Sequence, residues 1–393
     1  MDQKNAGLRL WEAQMAQGTG LCVGLDPHVD PGNGKLGSNF YTGYGRDVDQ
    51  TRFSDLQERF GEAAKTLRLQ GLLGCCVPVA SLIAGVTTYF LDVIDAAWAC
   101  GIRVFKPQAA FYEQFLPFGS LMLHLLCEHL RLLGLGSGEV ILIYDAKRGD
   151  IATTQAPYYA AYLTEPGDDV VSGLTGQYGF DAMTVTTWMG DDVLTPGLPF
   201  FKNGKGAIIV TRTSNPSGTT LQDALIDPNP LLLLSTKQQP FQLTAALVRE
   251  LTTLLHRRPT VCEAMMHQTT RFSAQHGLDQ DGVSPLFSVI GATTRMDDAY
   301  RLLRPNGIAL VPGFGAQKGQ FANVMPLHVP EGPLNGHLGI LSSSRAHNFP
   351  WMTEYGGDGN PLHLKAEMER AIAQFRKDER MAYETANLFY PFN

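Results

Sequence analysis

Eight short apolar runs punctuate the chain: LCVGLD (21–26), RVFKP (103–107), VILIYDAK (140–147), AMTV (182–185), GAIIVTR (206–212), FSVIGA (287–292), IALVPG (308–313) and LGILSSS (338–344). Each has the length and near-continuous hydrophobicity of a strand buried on both faces, the pattern of a parallel sheet. Between most of them the apolar spacing changes to a helical period. FYEQFLPFGSLMLHLLCEHLRLLG (111–134) follows the second run and LKAEMERAIAQFRKD (364–378) follows the last. Strand–helix alternation through eight repeats favours an α/β fold closed as a (β/α)8 TIM barrel over an open sheet.

Two connections exceed what a minimal barrel needs. Residues 27–102 join the first two strands, opening on Gly-rich PHVDPGNGKLGSNFYTGYGRD and continuing with helices expected at about 50–70 and 80–100. Residues 213–286 join the fifth and sixth strands and contain the Pro-rich DPNPLLLLSTKQQP (227–240). Neither shows a linker-like composition at both ends. The whole of 1–393 therefore reads as one barrel domain with insertions after strands 1 and 5, at about 30–100 and 218–285.

Polar residues gather where these runs end. Asp26 ends the first and Lys106 the second; Asp145 and Lys147 end the third, with Asp150 just beyond. Thr213 and Ser214 follow the fifth, Pro312, Gly313 and Gln317 the seventh, and Arg345 the eighth. Barrel enzymes build their active sites on the C-terminal rim, so this coincidence points to an enzyme. The densest patch is Asp145-Ala-Lys147-Arg-Gly-Asp150, in which Asp145 and Lys147, two apart on a strand, share a face. An isolated D-x-K-x-x-D is as easily a structural ion pair as a site. Here it directly follows VILIY, and alternation of acid and base keeps every member ionised. A second signal is VPGFGAQKG (311–319), where small residues let backbone N–H groups approach an anion and Gln317 adds a donor. Alone it is a weak motif. Its place after strand seven, with Arg345 after strand eight, matches the usual phosphate site of barrels, and the planar Arg fork suits a phosphate.

Composition narrows the field. Net charge is −7 with no basic block, which disfavours nucleic acid as a partner; an anionic ligand would need a locally positive pocket. The cysteines, Cys22, Cys75, Cys76, Cys100, Cys127 and Cys262, form no C-x-x-C pair and have mostly apolar neighbours, as expected of buried free thiols in a reducing cytosol. The N-terminal MDQKNAGLRLWEAQMAQ lacks a signal peptide's apolar core, and no uninterrupted apolar run is long enough for a bilayer. A cytoplasmic protein without a membrane partner is expected. His28, His256, His267 and His347 have no metal-type spacing and read as exposed or satisfied; Trp188 and Met189 read as packing residues. No metal motif, Walker motif or Ser–His–Asp arrangement is found.

Taken together, LCVGLDP (21–27), FKPQAAFYE (105–113), DAKRGDIATT (145–154), TSNPS (213–217), VIGATT (289–294), LVPGFGAQKG (310–319) and SSSRA (342–346) resemble orotidine 5′-monophosphate decarboxylases, in the bacterial subgroup with longer chains. The segments occur in the family's order and span most of the chain. The resemblance implies decarboxylation of orotidine 5′-monophosphate to UMP without metal or cofactor. It implies that Lys147 donates the proton to C6, that Asp145 stands beside the leaving CO₂, and that Lys106 and Asp150 complete the charged network. It assigns Asp26 to a ribose hydroxyl, Ser214 to the pyrimidine edge, and Gln317 and Arg345 to the phosphate, with Pro312 and Gly315 among the substrate-binding residues. It also implies a homodimer with shared sites, in which Asp150, Ile151 and Thr154 reach the neighbouring subunit's site. The sequence departs from the family at Lys318, where a second Gly is usual, and in its two long connections.

The chemistry fits these residue types. Loss of CO₂ from C6 leaves a carbanion with little resonance relief, so fixed charges in a dry site must stabilise it. The Gly-rich stretch 313–337 is a candidate lid, ordered by binding energy from the remote phosphate. Two other readings stay open: a related barrel lyase acting on a sugar phosphate with Mg²⁺, which shares the D-x-K-x-x-D strand, and a nucleotide-binding barrel without catalysis.

Overall fold

The computed structural model describes residues 4–30, 34–66, 76–136, 138–171, 174–226, 239–293, 299–314, 319–352 and 361–392. Eight parallel strands close into a barrel: β1 (Leu21–Leu25), β2 (Val104–Pro107), β3 (Ile141–Arg148), β4 (Ala182–Val185), β5 (Gly206–Arg212), β6 (Leu286–Ile290), β7 (Ala309–Pro312) and β8 (Ile340–Ser343). Each strand pairs with its sequence neighbours, and β1 closes the ring against β8 through Leu21 and Leu341. All eight expected runs are barrel strands. Their outward residues, such as Leu25, Phe105, Tyr144 and Val311, join the large core under the surrounding helices. Their inward residues near the N-terminal mouth, among them Cys22, Val104, Ile143, Ile208 and Phe287, form a second core. Helix α1 (Ala6–Gln17) lays Ala6, Leu10 and Ala13 onto that core and plugs the mouth.

Among the described residues, the connection after β1 carries α2 (Ser38–Val48), α3 (Gln50–Thr66) and α4 (Cys76–Ala99), the first of them not expected from the sequence. Helix α4 packs against α2, α3 and the C-terminal helix Leu364–Thr385. Its Val79–Ala99 portion, interrupted by Asp92 and Asp95, is long and apolar enough to cross a membrane by length and composition alone, but 72% of its most apolar 18-residue window is buried inside the fold. The helix expected over 111–134 is split. A short turn, Ala110–Glu113, ends before Leu116, whose φ of 55° breaks the helix, and Pro117 starts a new one (Pro117–Gly134) at the position where its missing N–H costs nothing. A small antiparallel hairpin, Asp169–Val171 with Leu174–Thr175, lies outside the barrel.

After β5, residues 222–226 run beside the start of α5 (Val261–Gln275): Cys262 N donates to Gln222 O at 2.9 Å and Ile226 N to Pro259 O at 2.8 Å. A capping box between Thr260 and Glu263 sets where α5 begins. Most of the Pro-rich stretch 227–240 lies outside the described residues. Within 313–337, the stretch read as a candidate lid, residues 315–318 lie outside the described residues. Gly319 N donates to Gly313 O at 3.0 Å, and beyond it Phe321 packs on Phe314 and Phe375. Cys22, Cys127 and Cys262 are buried free thiols and Cys100 is half-buried; the side chains of Cys75 and Cys76 lie outside the described residues.

Candidate active site

The C-terminal mouth of the barrel opens into a cleft of about 320 Å³ walled by residues from the rims of β1, β2, β3, β5, β7 and β8. Strand alternation explains which side chains face it. In β3, Ile141 and Ile143 point into the lower core, and Asp145 and Lys147 continue the same face upward. Asp145 is the hub. Its Oδ2 accepts from Lys106 Nζ at 3.0 Å and its Oδ1 from Lys147 Nζ at 2.5 Å. Thr184 of β4 donates its hydroxyl to the same Oδ1 at 2.9 Å and accepts from Lys147 N at 2.8 Å. Lys106 is sealed, 5% exposed, whereas the Lys147 side chain is 47% exposed to the cleft.

The electrostatics favour the ionised forms of Asp145 and Lys106. Burial by itself would raise the Asp145 carboxyl, but Lys106 and Lys147 outweigh it and hold the group well below the usual carboxylate range. Burial would likewise lower the Lys106 ammonium, and Asp145, then Asp26, overcome this and raise it. Lys147 carries a backbone φ of 48°, left-handed for a non-glycine residue, where the β3–β4 register shifts between Tyr144 and Arg148. Such strain costs about 1–3 kcal/mol and survives only where the surroundings over-determine it. Here the Thr184 bond to Lys147 N and a close approach of Gly149 to Thr186 supply that constraint: a Cβ on Gly149 would fall 2.4 Å from Thr186 O. The distortion turns Arg148 away, onto Glu113, while Lys147 keeps facing the cleft.

Asp26 lies beside this triad. Its Oδ1 is buried with no hydrogen-bond partner among the described residues, a costly state that a ligand hydroxyl would relieve. Across the cleft, Thr213, Ser214 and Asn215 form the wall after β5, and Pro312, Gly313 and Phe314 the wall after β7. Arg345 opens the helical turn Arg345–Asn348 and is exposed to the cleft mouth. Close packing of β1 on β8 puts Asp26 and Arg345 on one side. Gly24 lies so near Ser344 that a Cβ would fall 2.0 Å from Ser344 Oγ.

The cleft thus unites Asp26, Lys106, Asp145, Lys147, Ser214, Pro312 and Arg345 from the sequence reading. It does not include Asp150, Ile151 or Thr154. Asp150 is half-buried outside it, bonded through Oδ1 to Ile151 N at 2.7 Å, and Ile151 and Thr154 are exposed. Gly315, Gln317 and Lys318 lie outside the described residues. Trp188 and Met189, read as packing residues, are instead 54% and 51% exposed.

Several site residues escaped the sequence reading. Thr184 sits inside AMTV, which looks like plain core. His28 has no metal-type spacing in the sequence, yet it lines the cleft with its ring 4.3 Å from that of Phe111. Its alternation with Asp26 on the same rim was the available signal. Burial holds the His28 imidazole below its ordinary value; Asp26 opposes this and Arg345 adds to it. Tyr41 of α2 donates to His28 O, and Gln114 Nε2 to Pro27 O at 3.1 Å, so neighbouring connections fix this rim.

Comparison with known proteins agrees with the barrel and its rim. Residues 20–239 match the model of the orotidine 5′-phosphate decarboxylase / HUMPS family. Over 267 residues, 67% of this chain and 73% of the relative, it is 32% identical to the orotidine 5′-phosphate decarboxylase of Rhodopirellula baltica. Over 360 residues, 88% of this chain and 96% of the relative, it is 27% identical to that of Corynebacterium efficiens. The crystal structure of Plasmodium berghei orotidine 5′-monophosphate decarboxylase superposes with a TM-score of 0.58, covering 95% of this chain and 98% of that one, at 16% identity, a likeness of fold. The family match covers more than half of the chain and includes both the Lys106–Asp145–Lys147 triad and the Thr213–Asn215 wall, so the chain belongs to the orotidine 5′-phosphate decarboxylase / HUMPS family.

Proposed function

We propose that this cleft converts orotidine 5′-monophosphate to UMP and CO₂, the last step of de novo pyrimidine nucleotide synthesis, with no metal or cofactor. The observation that carries the reading is the cation–anion–cation line Lys106–Asp145–Lys147, with Lys147 strained and open to the cleft. Lys147 stabilises the carbanion at C6 and then protonates it. Asp145 holds that ammonium and stands beside the departing CO₂. Lys106 keeps Asp145 ionised. Asp26 takes a ribose hydroxyl, Ser214 the pyrimidine edge, and Gln317 and Arg345 the phosphate, with Pro312 and Gly315 also binding substrate. Fixed charges in a cleft that excludes water are worth more to a developing carbanion than the same charges in water.

The Mg²⁺-dependent sugar-phosphate reading fits less well. Both carboxylate oxygens of Asp145 are already occupied by ammonium groups, leaving that carboxylate little capacity to ligate a metal. A turnover assay of the purified protein on orotidine 5′-monophosphate, with and without EDTA, decides between them. The decarboxylase reading predicts UMP formation indifferent to EDTA. No turnover, or turnover abolished by EDTA, rejects it.

In this reading the whole chain is one cytoplasmic barrel domain with its two insertions, acting as a homodimer with shared sites. Ile151 (56% exposed), Trp188 and Met189 support a partner here. They are large apolar side chains left in solvent beside Asp150, on two adjacent rims. From this edge Asp150, Ile151 and Thr154 serve the partner's cleft. Lys147→Ala and Asp150→Ala proteins, each nearly inactive, then complement when mixed. Half the randomly exchanged dimers are mixed and each holds one intact site, so activity recovers to about a quarter of wild type. Label-verified subunit exchange without recovery contradicts sharing.

A further inference from the structure

The wall formed by Thr213–Asn215 is held from behind by a small network on the insertion after β5. Arg212, the last residue of β5, is fully buried. It forks onto Asp223, Nε to Oδ1 at 2.7 Å and Nη2 to Oδ2 at 2.8 Å, and its Nη1 donates to Thr213 O at 2.7 Å. Gln222 completes the grip, its Oε1 accepting from Thr213 N at 2.9 Å. Both backbone groups of Thr213, one residue before Ser214, are therefore fixed by side chains. Gly218 leaves the room for this: a Cβ there would come within 2.9 Å of both Arg212 Nη1 and Gln222 Oε1. The pair is itself anchored, because Cys262 N, in the first turn of α5, donates to Gln222 O at 2.9 Å.

We infer that Gln222 and Asp223 are positioning residues for pyrimidine recognition, and that the start of the insertion after β5 serves to aim Ser214. The inference rests on the decarboxylase reading of the cleft. A surface ion pair added only for stability would have no reason to seize the N–H and C=O of the residue before Ser214. A bidentate Arg–carboxylate pair fixes orientation as well as distance, and a recognition group displaced by about an ångström loses much of its value.

The test separates the two halves of the ligand. Binding of UMP and of ribose 5-phosphate is measured by calorimetry for wild type, Gln222→Met, Gln222→Glu and Asp223→Asn, with melting temperatures alongside. Gln222→Met and Asp223→Asn should weaken UMP roughly tenfold while ribose 5-phosphate changes by less than about twofold, as expected for loss of one oriented hydrogen bond. Gln222→Glu, which keeps an acceptor for Thr213 N, should recover most of the UMP affinity. Equal weakening of both ligands, or unchanged UMP binding in both variants, overturns the inference. If wild type itself binds UMP no better than ribose 5-phosphate, the reading of the cleft fails instead, and the inference falls with it.

Discussion

The two ends of the barrel carry similar charged residues and use them differently. At the N-terminal end Arg9 of α1 lies between Glu139 Oε1 at 2.6 Å and Asp181 Oδ1 at 2.7 Å, and the other oxygen of Asp181 accepts from Leu142 N at 2.8 Å. Gln14 spans Gly20 O and His337, and buried Glu379 accepts from Thr19 Oγ1 and Gly20 N. These bonds join α1 or the last helix to the strand starts, and none of these residues lines the cleft. At the C-terminal end one pair is sealed in the same way, Lys106 with Asp145. Around it stand groups with capacity left over: the buried Asp26 Oδ1, the half-exposed Lys147 ammonium and the exposed Arg345. Charge at a strand end is therefore not itself the mark of a site. Unspent hydrogen-bonding capacity facing a cleft is.

That contrast predicts that lesions at the two ends separate into losses of rate and losses of stability. Asp145 belongs to both classes and should show the largest combined effect. Asp145→Ala strands Lys106 as a buried, unpaired ammonium, which costs about 3–5 kcal/mol of stability. It should also lower kcat by on the order of a thousandfold by releasing Lys147. Chemical denaturation and steady-state kinetics on the same protein check both. A variant that loses neither would show that the triad is not a unit.

Arg345→Ala should leave stability unchanged and act on one part of the ligand. A charge-assisted contact to phosphate is worth roughly 1.5–3 kcal/mol, so UMP binding should weaken by about 10- to 150-fold. Uridine, which lacks the phosphate, should be indifferent. Equal losses for UMP and uridine would remove Arg345 from the phosphate role.

Glu379 sharpens the other side. Burial pushes its carboxyl up to about 7, although Thr19, Gly20 and Arg376 pull it down. A carboxyl whose folded value is raised supports the fold fully below its ordinary range, and that support is lost as pH climbs toward 7, because only the unfolded chain releases the proton in between. Glu379→Gln, which keeps the hydrogen bonds without the charge, should match wild type near pH 4 and exceed it at pH 8, by roughly 3 kcal/mol at most. Its kcat should not change. Equal stability at both pH values, or altered turnover, would break the distinction between the ends.

What the sequence disclosed follows the same division. Strands buried on both faces must be written as unbroken apolar runs, so the whole barrel could be read, down to AMTV. Polar residues interrupting those runs exposed Asp26, Lys106, Asp145 and Lys147. Position within a run gave no hint of the left-handed backbone at Lys147, because only the fit between β3 and β4 imposes it. Thr184 looks like any strand threonine until its register against Asp145 is known. The Gln222–Asp223 network pairs residues across a turn whose shape periodicity does not encode. Trp188 and Met189 read as core because hydrophobicity alone cannot distinguish a buried position from an exposed one.

The most direct test of the account is Lys147→Ala, measured for kcat, UMP affinity and melting temperature together. Lys147 lies open to the cleft at the end of β3, and without it Asp145 still keeps its buried partner Lys106. The account predicts a fall in kcat of about a thousandfold or more, with UMP binding and thermal stability close to wild type. Retention of more than about a tenth of wild-type kcat, or a loss of activity that merely tracks a loss of folding, would contradict the assignment of Lys147 as the proton donor.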